Sequence, residues 1–168
     1  MIDPAFAQLL ARYNRWQNES LFGAADGLED SQRRQDRGAF FKSIHATLNH
    51  LLWADRMWMS RFSDAPKPDL GISGSTAMHE DWEALRRERA LWDGRIVAWA
   101  DGLDQEWLKG DLAWFSAAMK RDIVKPRWVA VAHFFNHQTH HRGQVHAMLT
   151  AAGAKPDDTD LAFMPPQD

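Results

Sequence analysis

The sequence contains no cysteine. This absence excludes disulfide bonds, thiolate metal ligands and a cysteine nucleophile. Nor does any stretch approach the roughly 18 consecutive apolar residues that a membrane span requires. The first residues, Met1–Pro4, place no basic region ahead of an apolar run, so no secretory signal is predicted. We therefore expect a cytoplasmic protein that does not engage a membrane.

An excess of basic residues is also missing. The net charge is −3 and the isoelectric point is about 6.2. The two arginine-rich runs, at residues 33–37 and 86–89, are interrupted by acidic residues, which is typical of solvated helix faces. Since a nucleic-acid-binding domain normally carries a basic patch, we expect no nucleic-acid partner.

The chain does have enough apolar material for a substantial core. It has 168 residues, of which 45% are hydrophobic and nine are tryptophan. That length predicts a single domain over residues 1–168. Apolar residues recur at helical spacing in four segments, about 4–24, 39–62, 77–102 and 127–152. Four such segments predict an all-α fold, a four-helix bundle.

The segments between these helices have different signatures. Residues 26–37 and 64–76 are rich in polar residues, glycine or proline and are predicted to be connections. Two short apolar stretches without a helical stripe, about 111–116 and 120–125, predict a β-hairpin between the third and fourth helices. The tail, 154–168, is predicted to be irregular.

Histidines are concentrated in the fourth predicted helix. Five of the eight lie between residues 133 and 146, and no Asp or Glu occurs from Pro126 to Ala154. His137 and His141 are four residues apart, so on a helix they lie one above the other on one face. This spacing lets two imidazoles bind one metal ion. His133 continues the same face one turn earlier and is predicted to line the pocket.

A third ligand has to come from another helix, because bundles build metal sites from side chains on facing helices. His50 lies in the middle of the second predicted helix and shares a face with apolar residues. A histidine in that place needs partners for its ring nitrogens. His50 is therefore the predicted third ligand. Taken one at a time, each of these histidines also fits a hydrogen-bonded core residue, and the spacing alone leaves that alternative open.

Several neighbours are candidates to orient the ligands or to line the pocket. They are polar or aromatic residues on the same two helices: His133, Asn49, Asp55, Asn136, Gln144 and Trp53. His140 points about 100° away from His141 on a helix, so its role is left open. His45, His79 and His146 show no partner and are expected at the surface or its boundary. No single residue stands out as a general base.

Three neutral imidazoles would leave a divalent ion with its full charge and at least one open coordination position. Open positions are typical of catalytic rather than structural sites. Such a position takes water, hydroxide or an anionic ligand such as a thiolate or a carboxylate. Imidazole suits zinc, nickel, copper, cobalt and iron, and the donor set does not choose among them.

Three segments resemble the DinB family of DinB/YfiT-like proteins. The most specific is the histidine-rich segment Asn136–Gln144, with the sequence NHQTHHRGQ. The second is Leu48–Trp58, LNHLLWADRMW, and the third is Tyr13–Asn18, YNRWQN. The correspondence runs in order along nearly the whole chain.

This resemblance implies an up-down-down-up four-helix bundle with a long crossover, often assembled as a homodimer. It also implies a divalent metal held by three histidines, which in this sequence are His50, His137 and His141. Nickel and zinc are the metals expected first, with cobalt, iron and manganese as further candidates. The better-understood relatives are transferases or isomerases that use a low-molecular-weight thiol. The resemblance thus predicts thiol-dependent S-transferase or isomerase chemistry on a small-molecule substrate.

Two other functions are compatible with the same residues. One is metal-dependent hydrolysis, in which a metal-activated hydroxide attacks the substrate. The other is a non-catalytic metal-binding stress protein, which the lack of an evident general base favours. Metal binding by the three histidines is common to all three hypotheses.

Overall fold

The computed structural model describes residues 1–117 and 119–166. The fold is mostly helical, with one small two-stranded antiparallel sheet. In chain order the elements are α1 (Pro4–Asp26), α2 (Asp30–Arg34), α3 (Ile44–Phe62), α4 (Trp82–Asp101), α5 (Gln105–Lys109), β1 (Asp111–Ser116), β2 (Arg121–Pro126) and α6 (Arg127–Ala151). Two 3₁₀ helices cover Ile72–Ala77 and Leu161–Phe163.

Capping residues fix where three of the four long helices begin. The side chains of Asp3, Ser43 and Asp81 each accept a hydrogen bond from a backbone N–H in the first turn of α1, α3 and α4. Such a bond satisfies one of the N–H groups that a helix start leaves without a partner. The predicted start of the third long helix at residue 77 is therefore wrong, since Asp81 places it at Trp82.

The predicted second helix, 39–62, is also wrong at its start, because α3 begins at Ile44. Phe40 and Phe41 fit the helical spacing, but they lie in a turn that precedes the helix. In that turn Lys42 has a φ of 68°. A residue in the left-handed region does not continue a right-handed helix, so the helix starts only after this turn.

Three short helices were missed. Two lie in or beside the predicted connections, and the third directly precedes the hairpin. These are α2, the 3₁₀ helix Ile72–Ala77 and α5, which have five, six and five residues. Segments of this length are too short to show an apolar stripe. Their formation depends on caps and tertiary contacts, which hydrophobic periodicity does not report.

The predicted β-hairpin is confirmed. β1 pairs with β2 in antiparallel register, from Asp111 opposite Pro126 to Ser116 opposite Arg121. The second strand lies one residue later than predicted. Pro126 ends this strand and directly precedes α6, so the hairpin leads straight into the helix that carries most of the histidines.

The tail is irregular in its described part apart from the 3₁₀ helix, and it packs on α1. The hydroxyl of Tyr13 donates to the carbonyl of Thr159 at 2.6 Å. Nε2 of Gln17 donates to the carbonyl of Asp158 at 2.8 Å. The last two positions of the predicted tail, 167 and 168, lie outside the described residues.

The four long helices pack around a shared core. α1 contacts α4 and α6, and α3 contacts the same two helices. The largest fully buried apolar side chains come from all four and, in the case of Leu108, from α5: Leu21, Ile44, Leu48, Leu52, Leu85, Trp92, Ile96, Leu108, Val131, Phe134 and Leu149. None of the helices, over the residues described, combines the length and the apolar character that a membrane span needs.

Helices α3 and α4 run in the same direction. Asp55 contacts Arg89 near the middle of the two helices, and Phe62 stacks on Trp99 towards their ends. The connection between them must therefore return along the side of α3. A backbone contact shows this return, because the N–H of His79 donates to the side chain of Asn49 at 2.8 Å.

Candidate metal centre

The three predicted ligands come together between α3 and α6. His50, His137 and His141 each offer one ring nitrogen, and these nitrogens all lie within 4.8 Å of one another. Nε2 of His50 and Nε2 of His137 are 3.4 Å apart. His50 and His141 are buried and His137 is half-buried. Histidines that are 87 positions apart in the sequence thus form one cluster.

The spacing of the cluster fits a small divalent ion. A tetrahedral zinc with Zn–N distances of about 2.0–2.1 Å has ligand nitrogens roughly 3.4 Å apart. The distance between Nε2 of His50 and Nε2 of His137 is 3.4 Å. All the ligand nitrogens of the cluster lie within 4.8 Å of one another. Three imidazoles are also a donor set that first-row divalent metals favour.

Hydrogen bonds at the other ring nitrogen orient two of the three imidazoles. Nδ1 of His50 lies 2.9 Å from Oγ of Ser75. Nδ1 of His141 donates to Oε1 of Gln144 at 2.8 Å. When Nδ1 donates to the neighbouring oxygen, Nε2 of the ring keeps its lone pair for a metal ion, which is the usual arrangement around metal-binding histidines.

The cluster is held in its neutral form. Burial is the main cause that lowers the pKa of His50 to about 4, and the nearby His141 adds to it. Burial lowers the pKa of His137 to about 3, with smaller contributions from the neighbouring histidines. Burial also lowers the pKa of His141, although its bond to Gln144 acts in the opposite direction. Neutral imidazoles bind metals, so at pH 7 a metal would not have to displace protons.

Comparison of the sequence with known proteins identifies the family. The chain matches the DinB family over residues 1–167. It belongs to the DinB family. The resemblance of the three helical motifs is thereby confirmed. The chain is also 26% identical over 163 residues to Protein DinB of Bacillus subtilis (strain 168), covering 94% of this chain and 92% of that protein. No solved structure matches.

Aromatic rings close one side of the cluster in this DinB-family protein. The ring centroid of Phe41 lies 4.0 Å from that of His50 and 5.3 Å from that of His141. The ring of Trp53 stacks beside His50 at 5.9 Å. Trp53 therefore lies beside the cluster. Phe41 was missed, because it was assigned to a helix and lies instead in the turn before α3.

The other predicted pocket residues divide into two groups. Gln144 contacts a ligand directly, and His133 lies beside the cluster with its ring centroid 5.9 Å from His137. Asn49 is bonded instead to His45 and His79. Asn136 is exposed on α6.

Two histidines outside the cluster also have defined places. His45 was expected at the surface but is only 3% exposed, and its Nδ1 lies 3.3 Å from Nδ2 of Asn49. His140 is exposed, and its Nε2 lies 3.3 Å from Nε2 of Gln144. His140 therefore neighbours a residue that orients a ligand, although it does not join the cluster.

Asp55, also predicted near the site, belongs to a buried polar network that joins the four long helices. Asp55 pairs with Arg89 at 2.6 Å, and Arg89 pairs with Asp93 at 2.9 Å. Nε2 of Gln138 donates to Asp55 at 2.9 Å, and Nδ2 of Asn18 donates to Asp93 at 2.8 Å. The network therefore takes one or more residues from each of α1, α3, α4 and α6.

This polar network sets the register of the two helices that carry the ligands. Asp55 follows His50 by five positions on α3, and Gln138 is adjacent to His137 on α6. A sliding of one helix against the other would break the bond between Asp55 and Gln138. It would also separate the histidines, so we regard Asp55 and Gln138 as positioning residues rather than ligands.

Ser75 is, after Phe41, a second residue of the site that sequence patterns did not indicate. It is fully buried, and it lies on the 3₁₀ helix Ile72–Ala77, in a segment predicted to be a loop. Its contact with His50 exists because the connection after α3 folds back along that helix. The local sequence carries no signal of this return path.

Replacing Ser75 by Ala is expected to weaken metal binding by about 10- to 100-fold, as for other residues that orient a metal ligand. The hydroxyl that bonds Nδ1 of His50 would be lost, and the ring could rotate away. Zinc affinity measured by competition with a chromophoric chelator tests this. Ser60→Ala is the matched control. Ser60 lies on α3, and its hydroxyl donates to the carbonyl of Met57 in the same helix. Equal affinities of the two variants would contradict the orienting role of Ser75.

Proposed function

We propose that this DinB-family protein is a metal-dependent enzyme that uses a low-molecular-weight thiol, in S-transferase or isomerase chemistry. His50, His137 and His141 hold the metal in this proposal. The observation that carries it is a cluster of three neutral imidazoles whose ligand nitrogens lie within 4.8 Å. No carboxylate belongs to this cluster among the residues described. A divalent ion in such a site keeps its full charge and lowers the pKa of a thiol or water that reaches it.

Other residues of the protein orient the histidine rings or cover the cluster. Ser75 and Gln144 orient the rings of His50 and His141. Phe41 and Trp53 cover one side of the cluster with apolar surface, which strengthens electrostatic attraction to an anionic sulfur there. Nickel or zinc is the metal we propose, with cobalt, iron and manganese as alternatives, because imidazole accommodates this range.

The fold we propose for this function is the up-down-down-up four-helix bundle of the DinB type. Three observations support it. α3 and α4 run in the same direction, and the connection between them returns along α3. α1 runs against α4, because Arg12 pairs with Asp101 near one end while Phe22 stacks on Trp82 near the other. This arrangement brings α3 beside α6, where the ligands meet.

A cobalt-substituted protein tests the thiol-dependent function. Adding glutathione, cysteine or another cellular thiol is expected to produce a new sulfur-to-cobalt absorption band. S-methylglutathione, which lacks a free thiol, is expected to leave the spectrum unchanged. His141→Ala protein should show no band with any of them. If no cellular thiol changes the spectrum of the cobalt-loaded wild type, the thiol proposal is wrong.

The same protein distinguishes the two alternative functions. Turnover of ester or amide substrates without a thiol would point to metal-dependent hydrolysis. Tight, selective metal binding with neither a thiol response nor turnover would point to a non-catalytic metal-binding protein. In each case the three histidines remain the ligands, and only the use of the metal changes.

A further inference from the structure

A cavity of about 420 Å³ lies between α3, the segment that follows it and the end of the β-hairpin. This volume is within the range of about 300–1,000 Å³ for small-molecule sites. From α3 it is lined by Trp53, Met57 and Arg61. These residues are four positions apart and so share one face of the helix. Residues 67–72 and 115–117 complete the lining.

Arg61 gives this cavity a cationic group without a fixed counter-ion. Its guanidinium packs on the rings of Trp58 and Trp114, at 4.4 and 5.4 Å from their centroids. None of the ion pairs in the described part of the chain includes Arg61. The side chain is half-buried, and burial lowers its pKa. A partly desolvated cation of this kind gains from an anionic partner.

The remaining charges of the lining leave a positive balance. Lys67 and Asp69 both line the cavity. One carboxylate therefore lines the cavity together with two cations, Lys67 and Arg61. An anion entering this cavity meets a net positive lining.

The rim of the cavity is apolar and open to solvent. Leu70, Ile72 and Phe115 line it, and they are 42%, 56% and 62% exposed. Exposed apolar side chains gathered around a concave site mark a place where an apolar group binds. Cation and apolar surface are thus found together in one cavity.

This cavity shares a wall with the candidate metal centre. Trp53 lines the cavity and lies beside His50, with ring centroids 5.9 Å apart. Nε1 of Trp53 donates to the carbonyl of Leu70 at 2.8 Å, which ties the helix to the opposite wall. Ile72 begins the 3₁₀ helix that places Ser75 against His50. Trp53 and this 3₁₀ helix therefore connect the wall of the cavity to the histidine cluster.

We propose that this cavity binds an organic anion, a small molecule that carries a carboxylate beside an apolar portion. The carboxylate lies at Arg61, and the apolar portion lies against Trp53 and Met57. This site is additional to the metal centre, and its occupation does not require a metal.

Binding of 3-phenylpropionate to the metal-free protein tests this proposal. The neutral analogue 3-phenylpropanol has a similar apolar portion but no charge. We expect the acid to bind about 10- to 100-fold more tightly than the alcohol, since a charge-assisted hydrogen bond distinguishes them. Isothermal titration calorimetry gives both affinities on the wild-type chain, so the comparison does not depend on any variant.

Two variants then locate the anion. Arg61→Met keeps an unbranched apolar stem against the tryptophans and is expected to remove the preference for the acid. Arg95→Met is the matched control, because Arg95 also packs over a ring, that of Trp92 at 4.8 Å, but lies outside the cavity. It should bind the acid as the wild type does.

The possible outcomes separate this site from the metal centre. Equal binding of acid and alcohol, no binding of the acid, or full binding by Arg61→Met would each overturn the cavity proposal. Binding that requires added zinc and ignores Arg61 would place the anion at the metal and also overturn it. Arg61-dependent binding by a protein that takes up no metal would support the cavity and reject the proposed metal enzyme.

Discussion

Replacing Arg89 by Met is expected to lower the free energy of unfolding by about 3–5 kcal/mol, the usual effect of removing one partner from a buried ion pair. Arg89, Asp55 and Asp93 are only 3%, 1% and 3% exposed. Arg89 pairs with both carboxylates, at 2.6 and 2.9 Å. Its loss would leave two buried carboxylates without their shared cation. Urea denaturation at pH 7 measures the change.

Arg86→Met is the matched control for this variant. Arg86 lies on the same helix, one turn earlier, and pairs with Asp26 at 3.2 Å with half of its side chain exposed. An exposed pair contributes roughly 0–1 kcal/mol, so this variant should remain close to the wild type. A loss of the same size in both variants would show that the buried ion pairs of Arg89 stabilise the fold no more than an exposed pair does.

The pH dependence separates the effect of charge from that of packing. Burial raises the pKa of Asp93 to about 7, against the lowering effect of Arg89, and burial raises the pKa of Asp55 as well. A carboxyl with a raised pKa in the folded state favours folding when it is protonated. This stabilisation is complete below the pKa of the unfolded state, and it is lost as pH rises through the folded-state pKa of about 7. Arg89→Met removes the cation that opposes this rise in the carboxyl pKa values. As pH falls from 7 to 4, the buried carboxyls become protonated and no longer need a cation. The difference in the free energy of unfolding between wild type and Arg89→Met should therefore shrink over this range.

The clustering of the three histidines could be predicted because it follows from regular helical geometry. His137 and His141 are four residues apart on one helix, and any helix over that segment places them on one face. His50 needed only a second helix facing the first, and the apolar neighbours of His50 indicated which face is buried. The DinB-type motifs agreed with this selection. The predicted homodimer, the cytoplasmic location and the absence of nucleic-acid partners stay predictions.

The residues around the ligands could not be predicted, because they depend on how irregular segments return to the helices. Ser75 reaches His50 only because residues after α3 fold back along it, held by the bond between His79 and Asn49. Phe41 reaches the cluster from a turn that continues the apolar spacing of α3 without continuing the helix. Periodicity describes one helix at a time, whereas these contacts join a helix to a connection.

The contacts of Asp55 could not be predicted either, although Asp55 lies in a regular helix. Its position near His50 suggested a bond to a ligand, but its carboxylate pairs with Arg89 and Gln138. A buried aspartate takes the nearest strong donor, and the nearest arginine comes from α4, whose rotation no local pattern determines. The network it joins still contacts both helices of the histidine cluster, because Asp55 of α3 accepts a hydrogen bond from Gln138 of α6.

Replacing His141 by Ala is expected to weaken zinc or nickel binding by more than about 100-fold, because loss of a ligand exceeds the 10- to 100-fold effect of losing a residue that only orients one. The wild type should retain about one ion per chain after dialysis, as one three-histidine site predicts. Elemental analysis of the dialysed protein and competition with a chromophoric chelator measure stoichiometry and affinity. His137→Ala should behave in the same way, because both imidazoles come from one face of α6.

His146→Ala is the matched control on the same helix. It removes one imidazole from α6 without touching the cluster, since His146 lies outside the three-histidine group. It should keep the wild-type metal content. Thermal unfolding with and without zinc adds a second readout, because a ligand that binds only the folded state raises its stability. Equal metal content in His141→Ala and His146→Ala would reject the metal centre, and with it the functions that depend on it.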